Sequence, residues 1–308
     1  MHQAMLCCNG VQTQIITEGR WVEEGLASSG KKDLVLVIPG NPGVPGFYKK
    51  FIKYVKLQLP TEVPVWVVGH AGHVQPPKHL AFSSSESSHN NLFNLNGQLR
   101  HKIEFIKEYV PKDAKLHIVC HSIGSWFALK LLEDEELAKQ VVKCYLLFPT
   151  IEYLAETPSG TFLNTFLPIL SPFLVLFAWI FSFFSKFIQR ILILIFGLFF
   201  GVTSESVDPV LHLLNPLVLN RVFKLAIEEL KTVREINHNV IEKYPKKLFL
   251  YYGASDGWTP ITYYERFKNK FPSVDVELCS RGFRHAFVLT DAKGVGLMIG
   301  NMINKTIE

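Results

Sequence analysis

From Phe162 to Val202 the chain has no aspartate or glutamate, and its only basic residues there are Lys186 and Arg190. Acidic residues are otherwise spread along all 308 positions, so this gap marks a segment of different character. Charge is scarce overall, at 19% Asp, Glu, Lys and Arg against 48% hydrophobic residues, where an ordinary soluble domain carries about 25% charged. Cysteine is also sparse. The five are Cys7, Cys8, Cys120, Cys144 and Cys279, an odd number with two adjacent, which argues against a disulfide framework and for a reducing, cytosolic setting. No C-x-x-C or H-E-x-x-H spacing is present, so neither a metal nor another cofactor is expected. No basic patch interleaved with aromatics appears, which sets nucleic acid aside. The net charge of +5 is diffuse and compatible with an anionic phospholipid surface. The opening "MHQAMLCCNGVQTQII" lacks a basic n-region and a long apolar core, so it does not read as a secretory signal. Acylation of Cys7 or Cys8 is left open by the sequence.

What is there alternates. Short apolar runs at Leu34–Gly40, Val63–Gly69, Leu116–Cys120 and Val141–Phe148, then "KLFLYYG" and "VDVELC", read as buried strands. Between them lie helical patterns at Gly46–Leu59, Leu95–Val110, from Ser122 onward and at "TYYERFKNKF", with a last helix from about Ala286. Continuous apolar strands alternating with helices predict an α/β fold, a mostly parallel sheet covered on both faces. The expected division is an N-terminal core part over 1–150, a lid over 151–240 carrying the hydrophobic segment, and a C-terminal core part over 241–308. "SSSESSHNN" (Ser83–Asn91) reads as a solvated polar loop.

The strand Leu116–Cys120 runs into Cys120-His121-Ser122-Ile123-Gly124 and then directly into a helix. A serine at such a strand-to-helix turn is presented as a nucleophile, and the positions two before and two after it must be small. Gly124 meets that demand. Cys120 stands where most such turns have glycine. A serine hydroxyl needs a histidine base, and the histidine needs a carboxylate to fix its tautomer. In this fold the order is Ser, acid, His. Asp256 in "LYYGASDGWTP" and His285 in "CSRGFRHAFVLT" each follow a strand and come in that order. Asp275 and Asp291 are rival acids, the first inside a strand pattern and the second inside the last helix. Two backbone donors must hold the oxyanion: Ile123, just after the nucleophile, and Asn41 in the "IPGNPGVPG" loop. His70 and His73 are expected as loop residues bordering the pocket, and His121 as packing beneath the turn.

Taken in order, "IPGNPG", "GHAGH", "LNGQLRHK", "HSIGS", "LLFPTIE", "YYGASDGW" and "RHAF" resemble the lipid droplet-associated hydrolase family, a branch of the α/β-hydrolases, over nearly the whole chain. The resemblance implies Ser122 as nucleophile, Asp256 as acid and His285 as base, agreeing with the reading of the residues. It further implies action on lipid esters, sterol esters among them, and residence on lipid droplets and endoplasmic reticulum. It names no protein partner. Aspartate replaces the serine in epoxide hydrolases and dehalogenases of this fold, which disfavours both. A thioesterase or a peptidase remains open, and so does a droplet-surface protein that works through its apolar segment and partners with little turnover.

The segment 162–202 is constrained by the order of the site residues. Ser122 precedes it while Asp256 and His285 follow it, so a single crossing would separate nucleophile from base. Two crossings lack length, since only about a dozen apolar residues follow Arg190 and a span needs at least about 17. A re-entrant hairpin, a surface helix or a lid over the pocket remain. Ser182, Ser185, Lys186 and Gln189 suggest a polar stripe on one apolar helix, and Pro168 and Pro172 a break or kink at its entry.

Overall fold

The structure is a computed structural model and describes residues 1–27, 30–80, 90–200 and 203–307. The chain begins with two strands, β1 (His2–Cys8) and β2 (Val11–Glu18), then β3 (Asp33–Ile38), α1 (Lys49–Lys56) and β4 (Val65–Val68). A short helix α2 (Asn90–Phe93) leads into α3 (Leu95–Tyr109), β5 (Lys115–His121), α4 (Gly124–Leu131), α5 (Glu135–Gln140) and β6 (Val141–Leu147). Four helices follow without a strand: α6 (Pro158–Phe181), α7 (Lys186–Phe200), α8 (Val207–Leu213) and α9 (Pro216–Thr232). The chain ends with α10 (His238–Lys243), β7 (Leu248–Tyr252), α11 (Ile261–Lys270), β8 (Asp275–Leu278), α12 (Phe287–Thr290) and α13 (Ala292–Ile307).

One eight-stranded sheet runs in the order β1-β2-β4-β3-β5-β6-β7-β8. From β4 to β8 every neighbouring pair is parallel, and β1–β2 and β2–β4 are antiparallel. Alternate residues of each strand face opposite sides. Leu34, Leu36 and Ile38 pack with Phe105 and Phe127 under α3 and α4, while Val35 and Val37 pack with Phe51, Val295 and Ile299 under α1 and α13. Strands buried on both faces are why the sequence shows unbroken apolar runs there.

The hairpin β1–β2 extends the sheet beyond the strands read from the sequence. Cys8 pairs with Val11, and the two residues between them, Asn9 and Gly10, have φ of 48° and 72°. Positive φ at both central positions defines the I′ turn that Asn-Gly favours. Cys8 is fully buried, with its thiol donating to the His101 carbonyl and pushed up to about 12 by burial, so it is closed to acylation; Cys7 is exposed. All five cysteines are free thiols.

The region between β6 and β7 departs from the sequence reading in two ways. The helix α6 runs unbroken through Pro168 and Pro172, so of the break or kink expected at its entry the break is absent. Its start is well specified instead: Thr157 caps it by accepting from Gly160 N–H, and Pro158 sits at the first position. The polar residues Ser182, Ser185, Lys186 and Gln189 do not form a stripe on one helix. They lie at the break between α6 and α7, where the Gln189 amide donates to the Phe181 and Phe184 carbonyls at 2.9 and 3.0 Å and satisfies groups that the end of α6 leaves free. Around them the surface is apolar: Phe173, Phe183 and Phe187 are each about two-thirds or more exposed. Of the described helices, α6 alone is by itself long and apolar enough to cross a bilayer. Residues 81–89, which include most of the expected polar loop, and residues 201–202 at the end of the apolar segment lie outside the described residues; Asn90 and Asn91 begin α2.

Candidate active site

The parallel strands deliver their carboxyl ends to one edge, and the polar residues collect there. Ser122 follows β5 directly. Its φ is +53°, in the left-handed region that costs a non-glycine residue about 1–3 kcal/mol. The strain is held by its neighbours. Ser122 N–H donates to the Leu147 carbonyl at 3.0 Å, and the Ser122 carbonyl accepts from Ser125 N–H at 2.9 Å. Gly124 must be glycine, since a Cβ there would come within 2.6 Å of the Ile38 carbonyl oxygen. Cys120, in the position usually given to glycine, is fully buried and held neutral by burial.

His285 Nε2 lies 3.0 Å from Ser122 Oγ, and its Nδ1 lies 2.7 Å from Asp256 Oδ2. Asp256 also accepts from Trp258 N–H at Oδ1 and from the Thr259 hydroxyl at Oδ2, both at 2.8 Å. Burial would raise this carboxyl, but the His285 imidazole and the two further donors outweigh it and hold Asp256 below its ordinary range. A carboxylate only accepts, so Nδ1 carries the proton and Nε2 is left to accept from the serine hydroxyl. The rival acids are engaged elsewhere: Asp275 pairs with Lys143 at 2.7 Å, and Asp291, at the break between α12 and α13 and not inside one helix, accepts from Thr290 and Arg284.

His121 packs beneath the turn, as the sequence suggested. Its Nε2 lies 2.9 Å from the His285 carbonyl, an acceptor, so Nε2 is the protonated nitrogen and Nδ1 accepts from the Tyr48 hydroxyl at 2.7 Å. Tyr48 in turn accepts from Gly40 N–H. Burial lowers His121 to about 3, keeping it neutral. One ring thus ties together the serine turn, the backbone of the histidine loop and the loop of Asn41. Tyr48 was not singled out from the sequence, because its role depends on contacts 73 residues apart.

The loop bearing Asn41 is pinned from behind. Gly43 N–H donates to His73 Nδ1 at 2.9 Å, and His70 N–H donates to the Gly43 carbonyl. Both histidines are buried behind the loop, and burial drives His73 to about 3 with Lys102 and Arg221 adding to it. Their own loop is fixed by α3, where Gln98 bonds both backbone groups of Ala71 and the buried Lys102 donates to the Gly69 carbonyl. Among the described residues no cluster of three or more histidine, cysteine or acidic side chains could hold a metal. The peptide N–H groups of Asn41 and Ile123 donate to no protein acceptor among the described residues.

A mostly parallel sheet with a serine on a strained strand-to-helix turn, and an acid and a histidine after later strands, defines an α/β-hydrolase. Solved structures agree on the fold. The chain is similar to DBJA (the mutant dbja delta; TM-score 0.65, 12% identity, 99% of each chain covered) and to a point mutant of the meta-cleavage product hydrolase CumD (TM-score 0.58, 15% identity, 98% of each chain covered). At the sequence level, a model of the lipid-droplet associated hydrolase family matches residues 31–288. Lipid droplet-associated hydrolases from Drosophila melanogaster (40% identity over 99% of each chain) and Gallus gallus (35% identity over 97% of this chain and 94% of the relative) are similar end to end. The chain belongs to the lipid droplet-associated hydrolase family.

Proposed function

We propose that the protein is a serine ester hydrolase acting on lipid esters, sterol esters among them, at the phospholipid monolayer of lipid droplets and at the cytosolic face of the endoplasmic reticulum. The observation that carries the reading is the pair of hydrogen bonds joining Ser122, His285 and Asp256. In the first half-reaction Ser122 Oγ attacks the ester carbonyl and its proton passes to His285 Nε2. The carbonyl oxygen becomes an oxyanion that accepts from the N–H groups of Asn41 and Ile123. Collapse breaks the ester C–O bond, His285 protonates the departing alcohol, and an acyl group remains on Ser122. Water then gives a proton to His285 and its oxygen to the acyl carbon; the bond to Ser122 Oγ breaks, His285 returns the proton to Oγ, and the fatty acid leaves with the serine restored. Asp256 keeps Nδ1 protonated and balances the imidazolium in both halves. The family name supports a lipid as substrate, and the exposed apolar helices α6 and α7 support its delivery from a lipid surface.

The same apolar surface favours a second reading, a droplet-surface protein acting through α6, α7 and partners with little turnover. One experiment separates them: fatty-acid release from an emulsion of triacylglycerol or sterol ester coated with phospholipid, comparing the wild type with Ser122→Ala. The enzyme reading expects release that the variant abolishes while still binding the emulsion. Binding by both proteins with no release by either would support the second reading.

A further inference from the structure

The loop that carries Asn41 is anchored on three sides. Tyr48, just before α1, holds Gly40, and His73, in the loop after β4, holds Gly43. The third anchor comes from the helical region between β6 and β7. Asn41 Nδ2 donates to the Val222 carbonyl and to Glu229 Oε1, each at 3.0 Å, and so commits its amide hydrogens to α9. Val222 and Glu229 are seven residues apart, two helical turns, which stacks both acceptors on one face of that helix. Glu229 is an unusual residue to find there. It is 7% exposed, and burial raises its carboxyl to about 8; the Asn41 bond opposes the shift and the charge of neighbouring Glu228 adds to it. Glu228 itself accepts from Leu95 N–H at the start of α3. The group facing Glu229 from the loop is the neutral Asn41 amide.

We infer that Glu229 is a positioning residue for the oxyanion loop, its carboxyl and the Val222 carbonyl clamping the Asn41 side chain so that the Asn41 peptide N–H keeps the direction the oxyanion requires. The inference rests on the proposed serine mechanism and adds to it a residue that touches no substrate. A clamp at the side chain of Asn41 restricts rotation of the peptide whose N–H is to donate, and a misdirected donor is worth little. The protonation state matters as well. A neutral carboxyl can hold the amide without opposing the oxyanion, whereas a carboxylate in this buried place would set a negative charge beside the developing one. Because α9 packs along α6, the apolar helices and the oxyanion loop meet through this clamp.

The test is steady-state hydrolysis of a soluble short-chain p-nitrophenyl ester by the full chain, comparing wild type, Ser122→Ala, Glu229→Ala and Glu229→Gln. Loss of the clamp is expected to lower kcat about 10- to 100-fold in Glu229→Ala with KM within about twofold, somewhat less than removal of a whole oxyanion donor. Glutamine keeps a neutral acceptor at the same place and is expected to recover most of that loss. The pH profile gives an independent reading: kcat of the wild type falls as pH rises through about 8, and Glu229→Gln lacks that limb. This comparison stands even if Glu229→Ala does not fold. Wild-type kcat in Glu229→Ala, or the same basic limb in Glu229→Gln and wild type, would overturn the role while leaving the serine mechanism intact. Equal rates for wild type and Ser122→Ala would remove the mechanism and the role together.

Discussion

Ser122 occupies a backbone conformation that serine avoids, and the residues around it show what keeps it there. The turn is set by its hydrogen bonds to Leu147 and Ser125 and by the closeness of Gly124 to β3. Gly124→Ala forces a Cβ against the Ile38 carbonyl, so urea denaturation is expected to show a loss of about 1–3 kcal/mol. Asp256→Asn keeps the shape but cannot hold the same tautomer of His285. It is expected to leave the melting midpoint nearly unchanged and to lower kcat for a soluble ester by roughly 10⁴-fold. Glu229 has a stability signature of its own. Its folded value is raised from 4.5 to about 8, so between these values the unfolded chain releases a proton that the folded chain keeps. The contribution of Glu229 to stability therefore falls as pH rises from about 4.5 to about 8. Glu229→Gln has no such proton, and thermal melts across that range should show its stability relative to wild type growing with pH and constant below about 4.5. At this scale the sequence was readable where chemistry demands a fixed order: Ser122, Asp256 and His285 could be named because each follows a strand. Tyr48, Thr259 and Glu229 could not, since a tyrosine, a threonine or a helical glutamate carries no signature until the fold brings it to its partner.

Among the elements, α6 and α7 carry the greatest conflict between composition and surroundings. Burying a single Phe side chain is worth about 1.5–3 kcal/mol, yet Phe183 and Phe187, at the break between the two helices, are 69% and 72% exposed. Replacing both with glutamate is expected to leave hydrolysis of a soluble ester intact and to cut binding to phospholipid-coated emulsions at least tenfold, read by flotation. Unchanged flotation would remove these helices from the contact. The elements also show where local pattern misled. Two prolines within an apolar run signalled a break or a kink; of these, the break does not occur, since α6 continues through both, stabilised at its start by Thr157 and Pro158. A run of serine, lysine and glutamine at helical spacing signalled a polar face, but it is the cap between two helices. The hairpin β1–β2 carried its own signal, Asn9-Gly10 at the turn, but its strands lack the apolar runs that mark the core.

Across the whole molecule, the sheet gathers at one edge residues drawn from positions 41 to 285, and that gathering limits what the apolar region can do. Ser122, Asp256 and His285 are joined by hydrogen bonds, so they lie on one side of any membrane. The chain is back beside Asn41 by Val222, and Tyr153 and Leu154 bond the carbonyls of Arg234 and Val233 where the region leaves and returns. At its start, Ser159 N–H donates to the Gly257 carbonyl next to the acid. Both ends of the region are therefore bonded to the loops of the candidate site. The parallel order, the two covered faces and the positions of most strands were legible because buried strands must be continuously apolar. The antiparallel extension at the β1–β2 edge was not, because half-polar strands there resemble loops.

The proposed chemistry stands or falls on an activated serine, and covalent labelling by a fluorophosphonate probe reads that property without a known substrate. The full chain, with phospholipid vesicles present, is treated with the probe and digested, and the modified peptide is located by mass spectrometry. One phosphonylated residue is expected, Ser122, with labelling lost in Ser122→Ala and reduced at least about a hundredfold in rate in His285→Ala. A folded wild-type protein that takes no label, or takes it at another residue with Ser122 untouched, would overturn the serine mechanism.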